Sequence, residues 1–193
     1  MQVLAGKYRG KHLQSSTSPR VRPTARRLRE TLFEILGAHV EGARVLDLCA
    51  GSGAIGIEAL SRGASHATFI DRSRRMCMFI RMNLEICGVP DEQAEIVESD
   101  CISFLKNSLR ERRRAWDIIF LDPPYSADYI PVLTRLSSSR IINRAGGVLV
   151  AEHERKLQLP EDVCQLRRFY TVSQGESCLS FYADGASAIK FFA

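Results

Sequence analysis

Residues 43–62 read ARVLDLCAGSGAIGIEALSR, and this stretch decides the fold class. Its first part, residues 43–50, is mostly apolar and predicts a buried strand. The glycine-rich run GSGAIG at residues 51–56 follows and opens into a helix. Glycines let the backbone turn sharply and approach a ligand closely, in front of the N-terminus of the helix. The stretch therefore predicts a strand–loop–helix unit that binds a ligand at its loop.

The same alternation of strand and helix continues along the chain. Repeated βα units with short connections predict a mostly parallel sheet covered by helices on both faces. Two strand-like runs without a full helix between them, 165–173 and 177–183, predict an antiparallel C-terminal hairpin. The predicted fold class is therefore α/β and Rossmann-like, with a mostly parallel seven-stranded sheet. The other expected strands are 66–71, 94–98, 116–121 and 147–152, and the expected helices are 53–62, 73–87, 101–110 and 127–138.

Positive charge is concentrated near the N-terminus. Residues 1–30 hold eight basic side chains and one acidic one, whereas the whole chain has a net charge of +5. Such a concentration indicates a polyanionic partner, although a solvated basic surface would have the same composition. We expect a small β-hairpin at 2–14, followed by a Ser/Pro loop and a helix from Pro23. The predicted regions are 1–40 for contact with this polyanion, 41–183 for the domain with the glycine-rich loop, and 184–193 as a tail.

Length and composition limit the class of protein. A chain of 193 residues is long enough for one domain with a full core. It has no run of 18 apolar residues and no signal-peptide order at its start, so we expect a cytoplasmic protein. The six cysteines form no CxxC pair, and the four histidines do not cluster with them. We therefore expect reduced cysteines and no metal site.

Aspartates end four of the predicted parallel strands, at Asp47, Asp71, Asp100 and Asp122. Because parallel strands end at the same edge of a sheet, these residues predict a polar pocket. The spacing from the glycines to Asp71 suits an acid that binds ribose hydroxyls, in a dinucleotide or in S-adenosylmethionine. Asp47 favours S-adenosylmethionine, because its carboxylate would repel a pyrophosphate and attract a sulfonium; capping of a loop amide is the alternative. In such a site Asp100 would receive the adenine amino group, or it caps the next helix.

The tetrapeptide Asp122-Pro123-Pro124-Tyr125 follows the apolar run at 116–121. Neither proline can donate a backbone N–H, and both restrict the turn. The tetrapeptide therefore offers hydrogen-bond acceptors and an aromatic ring but few donors, which suits the amine of a stacked base. A strand-ending turn with an exposed aspartate is the alternative interpretation.

Together these motifs resemble those of class I methyltransferases, and in particular the bacterial 16S ribosomal RNA guanine-N2 methyltransferases. Cys49 and Asp71 depart from that family, in which phenylalanine and glutamate are common, but both keep the physical role. The resemblance extends to about residue 183. It is carried by AGKYRGK at 5–11, RPT at 22–24, RLRETLF at 27–33, LDLCAGSG at 46–53, EALSRGA at 58–64 and FLDPPY at 120–125.

The resemblance implies a monomeric enzyme that transfers a methyl group from S-adenosylmethionine to the exocyclic N2 amine of a guanine. Its substrate would be 16S ribosomal RNA in the small ribosomal subunit or an assembly intermediate. The implied catalytic residues are Asp122, Pro123, Pro124 and Tyr125. The implied cofactor-binding residues are Asp47, Ala50, Gly51, Ser52, Gly53, Asp71, Arg72, Asp100 and Cys101, and the implied RNA contacts are Arg9, Lys11, Arg20, Arg22, Thr24 and Arg27.

Three alternatives stay open at the level of the sequence. A DNA adenine-N6 methyltransferase would use the same DPPY tetrapeptide. An NAD-dependent oxidoreductase is supported only by the glycine spacing to Asp71. A non-catalytic RNA-binding assembly factor would use residues 1–30 and keep an inactive pocket. The sequence also leaves open whether Asp122 acts as a general base or only as a hydrogen-bond acceptor.

Overall fold

A computed structural model gives the fold and describes residues 1–15, 23–124, 128–137 and 140–184, without the side chains of 23–25. The chain divides into two compact units, Met1–Asp100 and Cys101–Ala193. Several predicted features lie outside the described residues: Arg20, Arg22, the side chain of Thr24, Tyr125 and the tail at 185–193.

The first unit is built from strand–helix repeats. Its strands are β1 Arg44–Leu48, β2 His66–Asp71 and β3 Ala94–Glu98. They pair in parallel, β2 with β1 on one side and β3 on the other. The first and last helices of the unit agree with the predicted starts at 23 and near 73. The helices are α1 Pro23–Leu36, α2 Ala54–Ser61 and α3 Arg74–Cys87, with short 3-10 turns at Gly37–Val40 and Asp91–Gln93.

Glycine permits close packing of α2 on β2. A Cβ atom at Gly56 would lie 2.3 Å from the ring of Phe69, which is itself fully buried. Any larger residue at Gly56 would push the helix away from the sheet. The last glycine of the GSGAIG run therefore fixes the distance between α2 and β2, and with it the position of the preceding loop.

The N-terminal segment, defined here as residues 1–15, forms a minimal hairpin with a single bridge between its two arms. One antiparallel bridge joins Gln2 and His12. The backbone N–H of Val3 donates to the carbonyl of Lys11 at 3.0 Å, and the N–H of Gly10 donates to the carbonyl of Val3 at 3.0 Å. The predicted hairpin is therefore present as a single bridge around a turn rather than as two full strands.

The second unit begins in parallel and ends antiparallel. Strand β4 pairs in parallel with β5. Strand β5 then pairs antiparallel with β8, β8 with β7, and β7 with β6, so the predicted C-terminal hairpin is confirmed. The helices are α4 Cys101–Arg110 and α5 Ile130–Ser137, and the strands are β4 Ile118–Leu121, β5 Val148–Glu154, β6 Asp162–Val163, β7 Leu166–Gln174 and β8 Ser177–Asp184.

The predicted fold class is confirmed: the two units together hold an α/β arrangement that is mostly parallel and has antiparallel C-terminal strands. The described strands number eight, one more than predicted, because the two-residue strand β6 joins the edge of β7. Within the described ranges, none of the helices is both long enough and apolar enough to cross a membrane.

Candidate active site

The glycine loop after β1 has open space beside Gly51. Gly51 and Gly53 have φ angles of +56° and +78°, in the left-handed region that favours glycine. A Cβ atom at Gly51 would meet no other atom within 4 Å. Cys49 also has a positive φ, of +64°, which is uncommon for a residue with a side chain and is typical of functional loops. The loop can therefore accept a ligand close to its backbone.

Asp71, at the end of β2, is bound to this loop. One carboxylate oxygen accepts the N–H of Gly51 at 2.9 Å, and the other accepts the N–H of Ser73 at 2.8 Å. Each carboxylate oxygen has a second lone pair, so both can accept a further hydrogen bond. Asp71 is half-buried. It is held in place by backbone groups and can still bind a pair of hydroxyls.

Asp47 lies beneath the loop, with only 2% of its surface exposed. Its Oδ2 atom accepts the N–H of Gly56 at 3.0 Å, in the first turn of α2. The alternative role considered for Asp47, capping of a backbone amide, is therefore present in the structure. A carboxylate at a helix N-terminus is favourable because it faces the positive end of the helix dipole. It also places negative charge on the loop side of α2.

The remaining predicted cofactor residues occupy strand ends and loop positions. The N–H of Ala50 donates to the carbonyl of Ile70 at 2.9 Å, which ties the loop to β2. Arg72 is exposed and directly follows β2. Asp100 is exposed and ends the first unit, whereas Cys101 is the first residue of α4. Their roles toward a cofactor stay predictions.

Asp122 lies beside a second carboxyl that the sequence analysis missed. Leu121 of β4 is registered with Ala151 of β5, so the residues that follow lie side by side, Asp122 directly after β4 and Glu152 still within β5. Asp122 reaches solvent, and Glu152 is half-buried. The sequence contains a signal for Glu152: this acid directly follows the fully buried run Val148–Ala151, just as Asp122 directly follows β4.

The two carboxyls have raised pKa values. Desolvation raises the pKa of Asp122 from 3.8 to about 6. Desolvation and then the charge of Asp122 raise the pKa of Glu152 from 4.5 to about 8. Near neutral pH the pair therefore carries about one negative charge and one proton. Strongly perturbed neighbouring carboxyls are typical of functional sites.

The backbone of Glu152 is held by a hydrogen bond from the segment before α5. Pro123 is buried and Pro124 is exposed. The hydroxyl of Tyr129 donates to the carbonyl of Glu152 at 2.7 Å, which ties the start of α5 to β5. His153 is buried, and its ring nitrogens lie 2.9 Å from the hydroxyl of Ser180 and 2.9 Å from the carbonyl of Glu154. His153 therefore has a structural environment inside the sheet.

The exposed basic residues of the first unit include three of the predicted RNA contacts. The side chains of Arg9, Lys11 and Arg27 are exposed. Arg29 differs from them, because it is buried and its guanidinium donates to the carbonyl of Gln2 at 2.6 Å. Burial lowers the pKa of Arg29, and the charge of Glu58 partly offsets that effect.

Glu58 and Ser61 of α2 anchor the N-terminal segment, a role the sequence did not indicate. Glu58 is fully buried and accepts the backbone N–H groups of Leu4 at 2.8 Å and Ala5 at 3.0 Å. The hydroxyl of Ser61 accepts the N–H of Tyr8 at 2.8 Å. The segment is therefore hydrogen-bonded to the helix that follows the glycine loop.

Among the described residues, no group of three or more His, Cys, Asp or Glu could hold a metal ion.

Comparison with known proteins agrees with this architecture. The protein family described as conserved hypothetical protein 95 matches residues 1–183. A solved structure of the methyltransferase candidate yhhF from Escherichia coli has a TM-score of 0.81 and 28% sequence identity. That match covers 96% of this chain and 98% of the other. The Rossmann-like methyltransferase architecture predicted from the sequence is therefore confirmed.

Curated relatives have names that refer to ribosomal RNA. The candidate rRNA methyltransferase YlbH of Bacillus subtilis (strain 168) is 35% identical over 166 residues, covering 86% of this chain and 89% of that protein. The ribosomal RNA small subunit methyltransferase D of Buchnera aphidicola subsp. Acyrthosiphon pisum (strain APS) is 30% identical over 154 residues. That second match covers 80% of this chain and 78% of the relative.

Proposed function

Because this chain belongs to the conserved hypothetical protein 95 family, together with the small-subunit ribosomal RNA methyltransferases D, we propose that it methylates 16S ribosomal RNA. The methyl donor is S-adenosylmethionine, and the acceptor is the exocyclic N2 amine of a guanine. The reaction takes place in the cytoplasm, on the small ribosomal subunit or an assembly intermediate. The observation that carries the proposal is the pair of neighbouring carboxyls on adjacent parallel strands, Asp122 directly after β4 and Glu152 in the C-terminal half of β5.

The first unit supplies the cofactor residues in this proposal. The glycine loop presents backbone to the ligand, and Asp71 accepts hydrogen bonds from the ribose hydroxyls with its remaining lone pairs. Asp47 places buried negative charge behind the loop, which suits a sulfonium better than a pyrophosphate. When bound, S-adenosylmethionine supplies an activated methyl group.

The second unit supplies acceptors for the target amine. An exocyclic nitrogen of guanine is a poor nucleophile because its lone pair is delocalised into the ring. Asp122, ionised above its pKa of about 6, accepts a hydrogen bond from the amine and localises that lone pair. The carbonyl of Pro123 is the second acceptor, and Tyr125 stacks on the extruded base. The proton released by methyl transfer passes to Asp122.

Glu152 supports guanine as the base. The Watson–Crick edge of guanine presents two neighbouring donors, the N1–H and the N2 amine, whereas adenine presents an amine beside an acceptor. Adjacent carboxyls offer two acceptors, because the carbonyl oxygen of a protonated carboxyl still accepts a hydrogen bond. In this arrangement Asp122 binds the reacting amine and Glu152 binds the N1–H.

The raised pKa of Glu152 also favours a second candidate, the DNA adenine-N6 methyltransferase, because a protonated carboxyl can donate to the ring nitrogen of adenine. A tritiated-methyl assay separates the two. Small ribosomal subunits that lack methylation and naked DNA are each incubated with the protein, and labelled nucleosides are identified. Label in N2-methylguanosine supports the proposal. Label only in DNA N6-methyladenine favours the second candidate, and no label on either substrate overturns both.

A further inference from the structure

Asn83, towards the C-terminal end of α3, is fully buried, and both ends of its amide group are hydrogen-bonded. Its Oδ1 atom accepts the backbone N–H of Gln14 at 2.7 Å. Its Nδ2 atom donates to the carbonyl of Gln14 at 2.9 Å and to the carbonyl of Ser52 at 2.8 Å. The orientation of the amide is fixed by these partners, because a backbone N–H can only donate and a carbonyl can only accept.

The two partners of Asn83 belong to functionally different segments. Gln14 lies at the end of the N-terminal segment, which carries the exposed Arg9 and Lys11. Ser52 lies between the two left-handed glycines of the cofactor loop. One buried side chain therefore links the basic segment to the loop proposed to bind S-adenosylmethionine.

The other anchors of the segment act at a different place. Glu58 and Ser61 hold Leu4, Ala5 and Tyr8 from α2, and Ser61 is the last residue of that helix. Asn83, by contrast, bonds directly to the loop backbone at Ser52. If Gln14 shifts, Asn83 loses two of its three partners, and a buried amide left without partners is strongly unfavourable.

We propose that Asn83 is a positioning residue that couples RNA binding at the N-terminal segment to cofactor binding at the glycine loop. This inference rests on the proposed function. RNA that holds Arg9 and Lys11 keeps Gln14 against Asn83, and Asn83 then holds the Ser52 carbonyl in the geometry that binds the cofactor. Coupling between two binding sites is reciprocal, so the cofactor tightens RNA binding by the same factor as RNA tightens cofactor binding.

A proline substitution at Gln14 tests the bridge without changing a buried side chain. Gln14 is exposed, and only its backbone groups contact Asn83. Gln14→Pro removes the N–H that Asn83 accepts, whereas Gln14→Ala keeps it and serves as the matched control. Asn83→Ala removes the bridge from the other side, and the double variant Gln14→Pro with Asn83→Ala closes a double-mutant cycle.

The measurement is the dissociation constant of unmethylated small ribosomal subunits, with and without saturating S-adenosylhomocysteine, by filter binding. S-adenosylhomocysteine occupies the cofactor site without reacting. We expect roughly fivefold or more tightening of RNA binding in the wild type and in Gln14→Ala. In Gln14→Pro and Asn83→Ala the tightening should fall to about twofold or less, with no further loss in the double variant.

The outcomes separate this inference from the proposed function. A wild type that binds subunits and S-adenosylhomocysteine but shows no coupling overturns the inference and leaves the function intact. Full coupling in Gln14→Pro also overturns it. A wild type that binds neither probe overturns the proposed function itself. If Asn83→Ala fails to fold, the two Gln14 variants decide the matter, because they leave the core unchanged.

Discussion

The backbone N–H of Gly51 donates to the carboxylate of Asp71 at 2.9 Å, across 20 residues of sequence. The residue predicted to bind the ribose therefore also holds the loop that we propose binds the rest of the cofactor. Loss of Asp71 would remove the proposed ligand contact and, at the same time, the hydrogen bond that holds Gly51. A test of its binding role has to separate these two effects.

Asp71→Ala should weaken S-adenosylmethionine binding by about 1.5–3 kcal/mol, because charge-assisted hydrogen bonds to the ribose are lost. Asp71→Asn retains one oxygen that can accept the N–H of Gly51, so it should weaken binding less. Isothermal calorimetry measures both affinities, and thermal unfolding checks that each variant folds. Wild-type affinity in a folded Asp71→Ala variant would remove this residue from the cofactor site.

Asp122→Ala should lower the single-turnover rate of methyl transfer by about 100-fold or more, the usual scale for a group that assists proton transfer. The affinity for S-adenosylmethionine should stay nearly unchanged, because Asp122 is assigned to the target amine. Asp162→Ala is the matched control, since Asp162 is an exposed aspartate of the same unit in an exposed ion pair with Arg167. A near-normal rate for Asp122→Ala would contradict the mechanism.

Glu152→Gln should change how stability depends on pH. The pKa of Glu152 is raised from 4.5 to about 8 in the folded protein, so between these values the folded state binds more protons than the unfolded state. The free energy of unfolding of the wild type therefore falls as pH rises from about 4.5 to about 8, whereas a glutamine does not titrate.

The stability of Glu152→Gln relative to the wild type should consequently be greater at pH 8.5 than at pH 5. If the relative free energy of unfolding changes by about 1 kcal/mol between the two pH values, the melting temperature of the variant relative to the wild type should shift by about 2–4 °C. Differential scanning calorimetry at both pH values measures it. Glu154→Gln is the control, because Glu154 is exposed on the same strand. Equal effects of Glu152→Gln at the two pH values would show that Glu152 is ionised in the folded protein.

Changing Arg9, Lys11 and Arg27 to glutamine should weaken RNA binding and leave cofactor affinity unchanged. All three side chains are exposed, so they can reach phosphates without disturbing the core. Each lost phosphate contact should reduce the slope of log affinity against log salt by about 0.7–0.9. Filter binding over a salt series measures this slope.

A second basic run provides the comparison for that experiment. Arg110, Arg112 and Arg114 are also exposed, but they belong to the second unit. Their replacement by glutamine removes the same amount of charge. We expect a smaller loss of affinity than for the N-terminal triple variant. The reverse order would place the main RNA contact on the second unit.

Glu58→Ala should destabilise the protein by about 3–5 kcal/mol, because it removes the carboxylate 4.0 Å from the buried Arg29 and leaves two backbone N–H groups without an acceptor. Glu58→Gln keeps an acceptor and should cost less. Urea unfolding measures both. Glu85→Ala is the control, since Glu85 is exposed on α3. Wild-type stability of Glu58→Ala would show that the anchor is dispensable.

The order of strands and helices was predictable because it depends on local sequence. Alternating apolar runs and short loops gave β2, β3 and α4 at 66–71, 94–98 and 101–110, the bounds that the structure has. The aspartates at strand ends were predictable for the same reason. Buried apolar residues followed at once by an acid mark the end of a parallel strand whether or not its partners are known.

The contacts that position the site were not predictable in this way. Asn83 is hydrogen-bonded to a residue 69 positions away in the sequence, and Glu58 to one 54 positions away. Both lie within helices whose apolar and polar residues give no indication of these contacts. Which polar side chain of a helix faces inward depends on the partner that covers it. Glu152 was predictable in principle, because it directly follows the buried apolar residues 148–151 of β5, but an acid in that position does not by itself indicate a second carboxyl beside Asp122.

Gly6 has a consequence for how the protein can be divided. A Cβ atom at Gly6 would lie 1.7 Å from the carbonyl oxygen of Ser61, so the segment touches α2 backbone to backbone. Deletion of residues 1–15 would leave the carboxylate of Glu58, now fully buried, facing water without its two amide donors. The segment is therefore an integral part of the fold and cannot be removed or exchanged by itself. A chimera that exchanges it with a relative should therefore carry the matching residues of α2 and α3, because Glu58, Ser61 and Asn83 hydrogen-bond to its backbone.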